Sequence, residues 1–435
     1  MMANTAQEPV HCPALVISAP ASGQGKTTVT AALAYHYRKQ NKKVRVFKTG
    51  PDFVDPFILE RASGHPVYQL DIWMCGREHC QALLYEAVQE ADLILIEGVM
   101  GLFDGQSSTA ELATLFGVPV LAVIDASAMA QTFAAVAYGL SHYQPDLEFA
   151  GVFANRVGNL HHYKMLTPAL HADIDCLGWL PGSELISLPE RHLGLHHANE
   201  VEQFESILEQ MDQQLSLEEN LLKTKVKFDP VAEQLVGNEL DGITIAIAED
   251  AAFTFLYKSN IECLIKLGAH ITYFSPLTDK QPPGVDALYF PGGYPELYLT
   301  QLSENTSMHN AIKEHHANNK PIVAECGGML YLCETLTDHK GTEKKMVGIL
   351  PAKATMRNKI AVIAYQYTET NQGNLRGHSF HFSTMQTDLS PAAMAKCPAD
   401  GQTSESIYKI RRLHASYTHH YFYSNPAATA GLFLT

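Results

Sequence analysis

No stretch of this chain approaches the roughly 20 uninterrupted apolar residues that a helix needs to cross a bilayer, although hydrophobic residues fill 46% of its 435 positions. The opening MMANTAQEPVHCP lacks both the positive first segment and the apolar second segment of a secretory signal. A soluble, cytoplasmic protein with no membrane partner is therefore expected. Net positive charge is also missing: the formal charge is -15 and no Lys/Arg cluster offsets it. Repulsion from a phosphate backbone excludes nucleic acid as the expected partner.

Paired short cysteine spacings are absent too. The eight cysteines, Cys12, Cys75, Cys80, Cys176, Cys263, Cys326, Cys333 and Cys397, are scattered through the chain, which argues against a disulfide framework or a zinc knuckle. Histidines are plentiful, with adjacent pairs at His161-His162, His196-His197, His315-His316 and His419-His420. None stands at a ligand spacing with cysteine or acidic partners, so no protein-only metal centre is expected from them. No fixed-period repeat is present, so two different domains are expected rather than copies of one.

What the sequence does contain is strand after helix after strand. Short apolar runs bounded by Gly, Pro and Asp occur at 14–20 (ALVISAP), 42–50 (KKVRVFKTG), 92–98 (DLILIEG), 118–125 (VPVLAVID) and 149–157 (FAGVFANRV). Runs of this kind suit a mostly parallel sheet covered on both faces. From about Asn199 to Leu240 the composition shifts to Glu, Gln, Lys and Leu, which reads as a closing helix and a polar connection. A second series follows at 242–250, 269–276, 286–293 and 320–328 and ends in a strand-rich stretch. The expected architecture is α/β throughout, with a domain over 1–199, a linker over 200–240 and a second α/β domain over 241–435.

After the first apolar run comes Ala19-Pro20-Ala21-Ser22-Gly23-Gln24-Gly25-Lys26-Thr27-Thr28. A glycine turn that opens a helix aims several backbone N–H groups at one phosphate. Lys26 then neutralises the β/γ charge of ATP and Thr27 offers a hydroxyl to Mg²⁺. Pro20 stands where the usual pattern has its first glycine. Ser22, Gly23, Gln24, Gly25, Lys26, Thr27 and Thr28 are the expected ATP contacts. Two later strand ends carry carboxylates, in Lys48-Thr49-Gly50-Pro51-Asp52-Phe53-Val54-Asp55-Pro56 and in Ile96-Glu97-Gly98-Val99-Met100-Gly101-Leu102-Phe103-Asp104-Gly105. In an open α/β sheet that edge binds ligands. Asp52 and Glu97, with Thr27, are expected to hold Mg²⁺, and Asp52, Asp55 and Asp104 to serve carboxylate activation. A further charged cluster, Leu188-Pro189-Glu190-Arg191-His192-Leu193-Gly194-Leu195, reads equally as a helix start or an anion-binding turn.

In the second series, Pro291-Gly292-Gly293-Tyr294-Pro295-Glu296 follows one strand and Ala324-Glu325-Cys326-Gly327-Gly328-Met329 the next. A cysteine on a sharp strand-to-helix turn exposes its sulfur at the sheet edge, where a helix N-terminus favours thiolate. Cys326 is the expected nucleophile, with the N–H groups of Gly327 and Gly293 forming an oxyanion hole. His419, in Ala415-Ser416-Tyr417-Thr418-His419-His420, is the expected base. Triad glutaminases commonly carry Glu two residues past the histidine, but Tyr421 stands there, so a Cys-His dyad is expected. His378 and His381 read as structural or substrate-facing.

With these motifs in hand, the chain resembles the cobyrinic acid a,c-diamide synthases of corrinoid biosynthesis over almost its whole length. APASGQGKTT, TGPDFVDP, IEGVMGLFDG, LPERHLGL, PGGYPE, AECGGM, RGHSFHFS and SYTHHYF carry the resemblance. It implies a dethiobiotin-synthetase-like ATPase domain joined to a class I glutamine amidotransferase domain. It also implies ATP- and L-glutamine-dependent amidation of the a and c carboxylates of cobyrinic acid or hydrogenobyrinic acid. Phe53 stands where the family usually has Tyr, and His419-His420 where it has one histidine followed by Leu. Two alternatives remain at this point: an a,c-diamide synthase acting on nickel-sirohydrochlorin, and a MinD-like regulatory ATPase. A homodimer is one compatible state.

Overall fold

The computed structural model describes residues 8–186, 188, 204–231 and 237–434. The chain divides into two compact units, Met1–Glu233 and Gln234–Thr435. Leu188 apart, the LPERHLGL cluster lies outside the described residues.

In the first unit β1 (Val10–Ser18), α1 (Lys26–Lys39), β2 (Val44–Thr49), α2 (Asp55–Ser63), β3 (Tyr68–Leu70), α3 (Arg77–Val88), β4 (Leu93–Glu97), α4 (Thr109–Phe116), β5 (Val120–Asp125), α5 (Thr132–His142), β6 (Phe149–Val157), α6 (Leu160–Leu166) and β7 (Cys176–Pro181) alternate. They are followed by α7 (Phe204–Gln214), β8 (Ser216–Leu217) and β9 (Lys225–Phe228). The sheet runs β3-β2-β4-β1-β5-β6-β7-β8, with β9 pairing β1. Its strands are parallel from β3 to β7, while β8 and β9 join antiparallel. All five residues of β4 are buried, as a strand covered on both faces requires.

The expected linker over 200–240 is corrected by this unit. Phe204, Leu208 and Met211 recur at helical spacing and are buried in the first unit's core. On its other side α7 fastens to α1: Lys39 Nζ lies 2.9 Å from Glu209 and 2.8 Å from Asp212, and His36 Nδ1 lies 2.7 Å from Asp212. Farther on, the alternating burial of Lys225–Phe228 lets β9 add to the sheet, with Val10 opposite Phe228. The closing helix expected here is present; its packing in the first unit's core and the half-buried strand β9 are what the polar composition concealed.

The second unit contains β10 (Thr244–Ala248), α8 (Lys258–Lys266), β11 (His270–Phe274), β12 (Ala287–Phe290), α9 (Leu299–Glu304), α10 (Thr306–Ala317), β13 (Ile322–Glu325) and α11 (Gly327–Leu332). Then come β14 (Cys333–Thr337), β15 (Glu343–Lys345), β16 (Leu350–Met356), β17 (Val362–Thr370), β18 (Gly373–His381), β19 (Ser383–Gln386), β20 (Ala393–Lys396), β21 (Thr403–Ile410), β22 (Leu413–Ser416), β23 (His419–His420) and α12 (Pro426–Leu434). The main sheet has the order β11-β10-β12-β13-β22-β21-β20-β17-β18-β23, parallel as far as β22 and antiparallel beyond it. A smaller sheet, β15-β14-β16-β19, adjoins the same core. Among the described residues no helix is long and apolar enough to cross a membrane.

Candidate active sites

The loop from Ala19 to Gly25 joins β1 to α1 at the carboxyl edge of the sheet. Gly25 takes the left-handed conformation (φ 89°) directly before α1, a geometry that glycine adopts without strain. Behind the loop, Asn155 Nδ2 donates to Gln24 O at 2.9 Å and the Asp125 N–H donates to Gln24 Oε1 at 2.9 Å. The ends of β5 and β6 thus fix its shape, while Ser22 and Gly23 stay exposed at its tip. Lys26 Nζ donates to Met100 O at 2.5 Å, and Leu102 N to Ala19 O at 2.8 Å, so the 98–105 loop is bound to the glycine turn.

Beneath this turn Thr27 Oγ1 donates to Glu97 Oε1 at 2.9 Å. Glu97 is fully buried at the end of β4, and its Oε2 has no hydrogen-bond partner. In the neighbouring strand Lys48 stands in register with Glu97. Its ammonium lies 2.6 Å from Glu97 Oε1, 2.7 Å from Asp55 Oδ2 and 3.7 Å from Asp52 Oδ2. Asp52 also uses Oδ1 to accept the Val54 and Asp55 N–H groups at 2.8 and 3.2 Å, shaping the entry to α2. Three carboxylates surround one ammonium.

Of the four expected carboxylates, the structure therefore gathers Asp52, Asp55 and Glu97. Asp104 is exposed on its turn, where Oδ2 accepts the Gly101 N–H at 3.1 Å. Sequence reasoning passed over Lys48. The signal was present, since a lysine among apolar residues at the end of a buried strand needs anionic partners. Among the described residues no ready-made group of three His, Cys, Asp or Glu could hold a metal ion. Mg²⁺ nonetheless suits the donors present, because it takes one or two protein ligands and completes its shell with phosphates and water. The Thr27 hydroxyl and the orphaned Glu97 oxygen meet that requirement.

In the second unit Cys326 forms the turn between β13 and α11 with φ 44° and ψ -111°, a conformation rare outside glycine. Its N–H donates to Ser416 O at 2.8 Å, and its carbonyl accepts from Leu330 N at 2.9 Å. Gly327 is pressed against the 292–293 loop: a Cβ there would lie 2.7 Å from Gly293 O and 2.8 Å from Gly293 N. The two proposed oxyanion-hole residues are thus neighbours across the adjacent strands β12 and β13.

Strands β13 and β22 pair with Glu325 opposite Ser416, which brings Cys326 and His419 to one sheet edge. His419 is buried and stacks on His378, with ring centroids 5.1 Å apart and planes 18° apart. Tyr257 Oη lies 3.2 Å from His378 Nδ1. Burial, with a smaller effect from the charge of His378, pushes the His419 imidazole down to about 3, so it is neutral at rest. Burial likewise pushes the Cys326 thiol far above its ordinary value, the charge of Glu296 adds to this, and a Gly327 N–H hydrogen bond only partly opposes it.

The expectation of a thiolate favoured by a helix N-terminus is thereby corrected. Helix α11 has only six residues, and burial is the largest influence on the thiol. The resting pair is a thiol and a neutral imidazole. His420 faces a different set of groups: its Nδ1 and backbone N lie 3.1 and 3.0 Å from Glu325 Oε1, and its Nε2 lies 3.1 Å from Thr368 Oγ1. Tyr289 Oη donates to Glu325 Oε2 at 2.8 Å. Glu325 went unnoticed in the sequence because it precedes the nucleophile instead of following the histidine, yet its charge reaches His419 and favours the imidazolium. His381 bonds Glu405 at 2.9 Å and lies flat against Tyr417.

Residues 15–195 match the CobQ/CobB/MinD/ParA nucleotide binding domain, and residues 244–427 the CobB/CobQ-like glutamine amidotransferase domain. Whole-chain relatives agree. The chain is 53% identical to a hydrogenobyrinate a,c-diamide synthase of Stutzerimonas stutzeri, over 97% of this chain and 98% of that one. It is 51% identical to the protein of that name from Pseudomonas aeruginosa, covering 97% of each. A cobyrinate a,c-diamide synthase of Herminiimonas arsenicoxydans is 46% identical over 96% of each chain.

Proposed function

Because the chain belongs to the hydrogenobyrinate and cobyrinate a,c-diamide synthase family, we propose that it amidates the a and c carboxylates of hydrogenobyrinic acid, using ATP and glutamine. Two relatives at 53% and 51% identity bear the metal-free substrate's name, which favours it over cobyrinic acid. The observation that carries the reading is the pairing of two chemistries in one chain: Thr27 and Glu97 beneath a phosphate-binding turn, and Cys326 on a strained elbow with His419 at the same sheet edge.

A carboxylate is a poor electrophile at neutral pH, so one of its oxygens first attacks the γ-phosphorus of ATP, and ADP leaves. The resulting acyl phosphate carries a good leaving group. Lys26 and Lys48 supply positive charge where the phosphoryl group transfers, and the backbone N–H groups of Ser22 to Gly25 hold the phosphates. Thr27 and Glu97 would hold Mg²⁺, with Asp52 close by; when bound, that ion neutralises phosphate charge.

In the second unit His419 takes the Cys326 proton, and the sulfur attacks the side-chain carbonyl of glutamine. The N–H groups of Gly327 and Gly293 stabilise the oxyanion. The C–N bond breaks, ammonia departs with the proton from His419, and water hydrolyses the thioester to glutamate. Ammonia then attacks the acyl phosphate and expels inorganic phosphate.

The test is a mass measurement of product after incubation with ATP, Mg²⁺, glutamine and hydrogenobyrinic acid, cobyrinic acid or nickel-sirohydrochlorin in turn. Two successive amidations, fastest on hydrogenobyrinic acid, are expected. Product from nickel-sirohydrochlorin alone would replace the substrate, and failure to hydrolyse glutamine would point back to a regulatory ATPase.

A further inference from the structure

Glu296 has no role in the chemistry above, yet it is a carboxylate only 6% exposed, on a turn that packs against the Cys326–Gly327 elbow. It sits in the single 3-10 turn Pro295–Tyr298 that follows the 292–293 loop. That turn packs on the nucleophile's elbow: a Cβ on Gly327 would lie 3.0 Å from Pro295 Cδ. The Glu296 carboxylate accepts a hydrogen bond from its own N–H, and among the described residues no ion pair engages it. Its charge is nonetheless the largest influence on the Cys326 thiol after burial itself.

A carboxylate removed from water with no cation opposite is costly, and proteins keep one only by protonating it or by supplying the cation. Burial accordingly pushes Glu296 up to about 7. Among the described residues no ion pair supplies the cation that would hold it ionised, and it stands in a unit that handles glutamine. Glutamine's side-chain amide goes to Cys326, and its one positive group is the α-ammonium.

We propose that the Glu296 carboxylate receives the α-ammonium of glutamine, making it the residue that selects an amino-acid amide over a simple amide. The assignment rests on Cys326 being the nucleophile. It has a catalytic corollary. Pairing Glu296 with an ammonium cancels the negative charge that opposes thiolate formation, so the correct substrate eases deprotonation of the sulfur that attacks it.

The experiment uses the full chain and compares ammonia release from L-glutamine with release from glutaramate, the same molecule without its α-amino group. Wild type should prefer glutamine. Glu296→Gln should lower kcat/KM for glutamine by about 10- to 100-fold, mainly through KM, as loss of a charge-assisted hydrogen bond predicts. Its glutaramate rate should not fall, and iodoacetamide should alkylate its Cys326 faster at a fixed pH. Equal losses on both substrates would mark a merely structural role and overturn the proposal, as would a wild type indifferent to the α-amino group. Should Glu296→Gln not accumulate as folded protein, Glu296→Asp replaces it: its KM must rise more for glutamine than for glutaramate, and equal changes overturn the assignment. Release from neither substrate by wild type, or unimpaired release by Cys326→Ala, would instead refute the glutaminase site on which the proposal stands.

Discussion

The backbone of Gly292 runs so close to His419 that a methyl group placed on it would collide with the ring's Cε1. The 292–293 loop therefore both borders the proposed oxyanion hole and limits where the His419 ring can sit. Gly292→Ala should displace the imidazole and lower glutamine-dependent synthesis by about 100-fold, the usual consequence of a 1 Å misplacement. Synthesis from high ammonium should survive, because that route bypasses glutamine. Unchanged glutamine kinetics would mean that His419 can move without penalty and is not the base.

Cys326→Ala removes the sulfur but leaves acyl phosphate formation intact. Glutamine-dependent product should disappear while ammonium at raised pH still supports synthesis. His419→Ala should match it, and the double variant should be little worse than either, since the two residues act as a unit. Additive losses measured on purified variants would show that the pair does not work together.

His420→Ala should fail for a different reason. Glu325 would lose the imidazole of His420 while remaining buried and bonded to Tyr289 Oη and the 420 N–H. Removing a hydrogen-bond partner from a buried carboxylate costs about 2 kcal/mol, so a lower thermal midpoint is expected, more marked than in His419→Ala. A His420→Ala protein as stable as wild type, but without glutaminase activity, would transfer the role of base to His420.

How far the sequence revealed these sites depended on whether a contact was local. Cys326 and the Ser22–Thr28 turn could be picked out as candidates because a strand, a tight turn and a helix start are consecutive in the chain. The partnerships of Lys48 with Glu97 and of Glu325 with His420 are set by strand pairing across 49 and 95 residues, which no spacing rule reads. The closing helix was legible but its docking was not, because the three apolar residues that bury α7 in the first unit's core stand inside a polar composition. Cys326 was misjudged in its ionisation, since burial is a property of the folded unit and not of the motif.

Lys48→Met tests the cluster beneath the phosphate turn. The change leaves Glu97 and Asp55 buried with no ammonium between them, and breaking a buried pair of this kind costs about 3 to 5 kcal/mol. A marked fall in thermal midpoint should accompany loss of synthesis with either glutamine or ammonium. Lys48→Arg, which keeps the charge, should recover much of the stability. If Lys48→Met is both stable and active, Lys48 neither neutralises the carboxylates nor serves phosphoryl transfer.

Acid should weaken the fold through buried imidazoles in the second unit. Burial pushes His315 down to about 4 and His414 and His419 to about 3, against an ordinary 6.5. Below pH 6.5 the unfolded chain takes up protons at these sites and the folded chain does not, so their contribution is complete above 6.5 and shrinks as pH falls toward 4. Glu296 works in the opposite sense: raised from 4.5 to about 7, it stabilises the fold below 4.5 and loses that contribution as pH climbs to 7. His309 is lowered by burial as well and Asp250 raised, so four imidazoles stand against two carboxyls and a net loss of stability is expected between pH 6.5 and about 4.5. His414→Leu removes one imidazole that takes no part in the proposed chemistry, so its stability curve should fall less steeply than wild type over that window. The difference in slope should approach about 1.4 kcal/mol per pH unit for one proton. Unfolding by urea at several pH values measures it, and parallel curves for the two proteins would mean that His414 is protonated in the folded chain as readily as in the unfolded one.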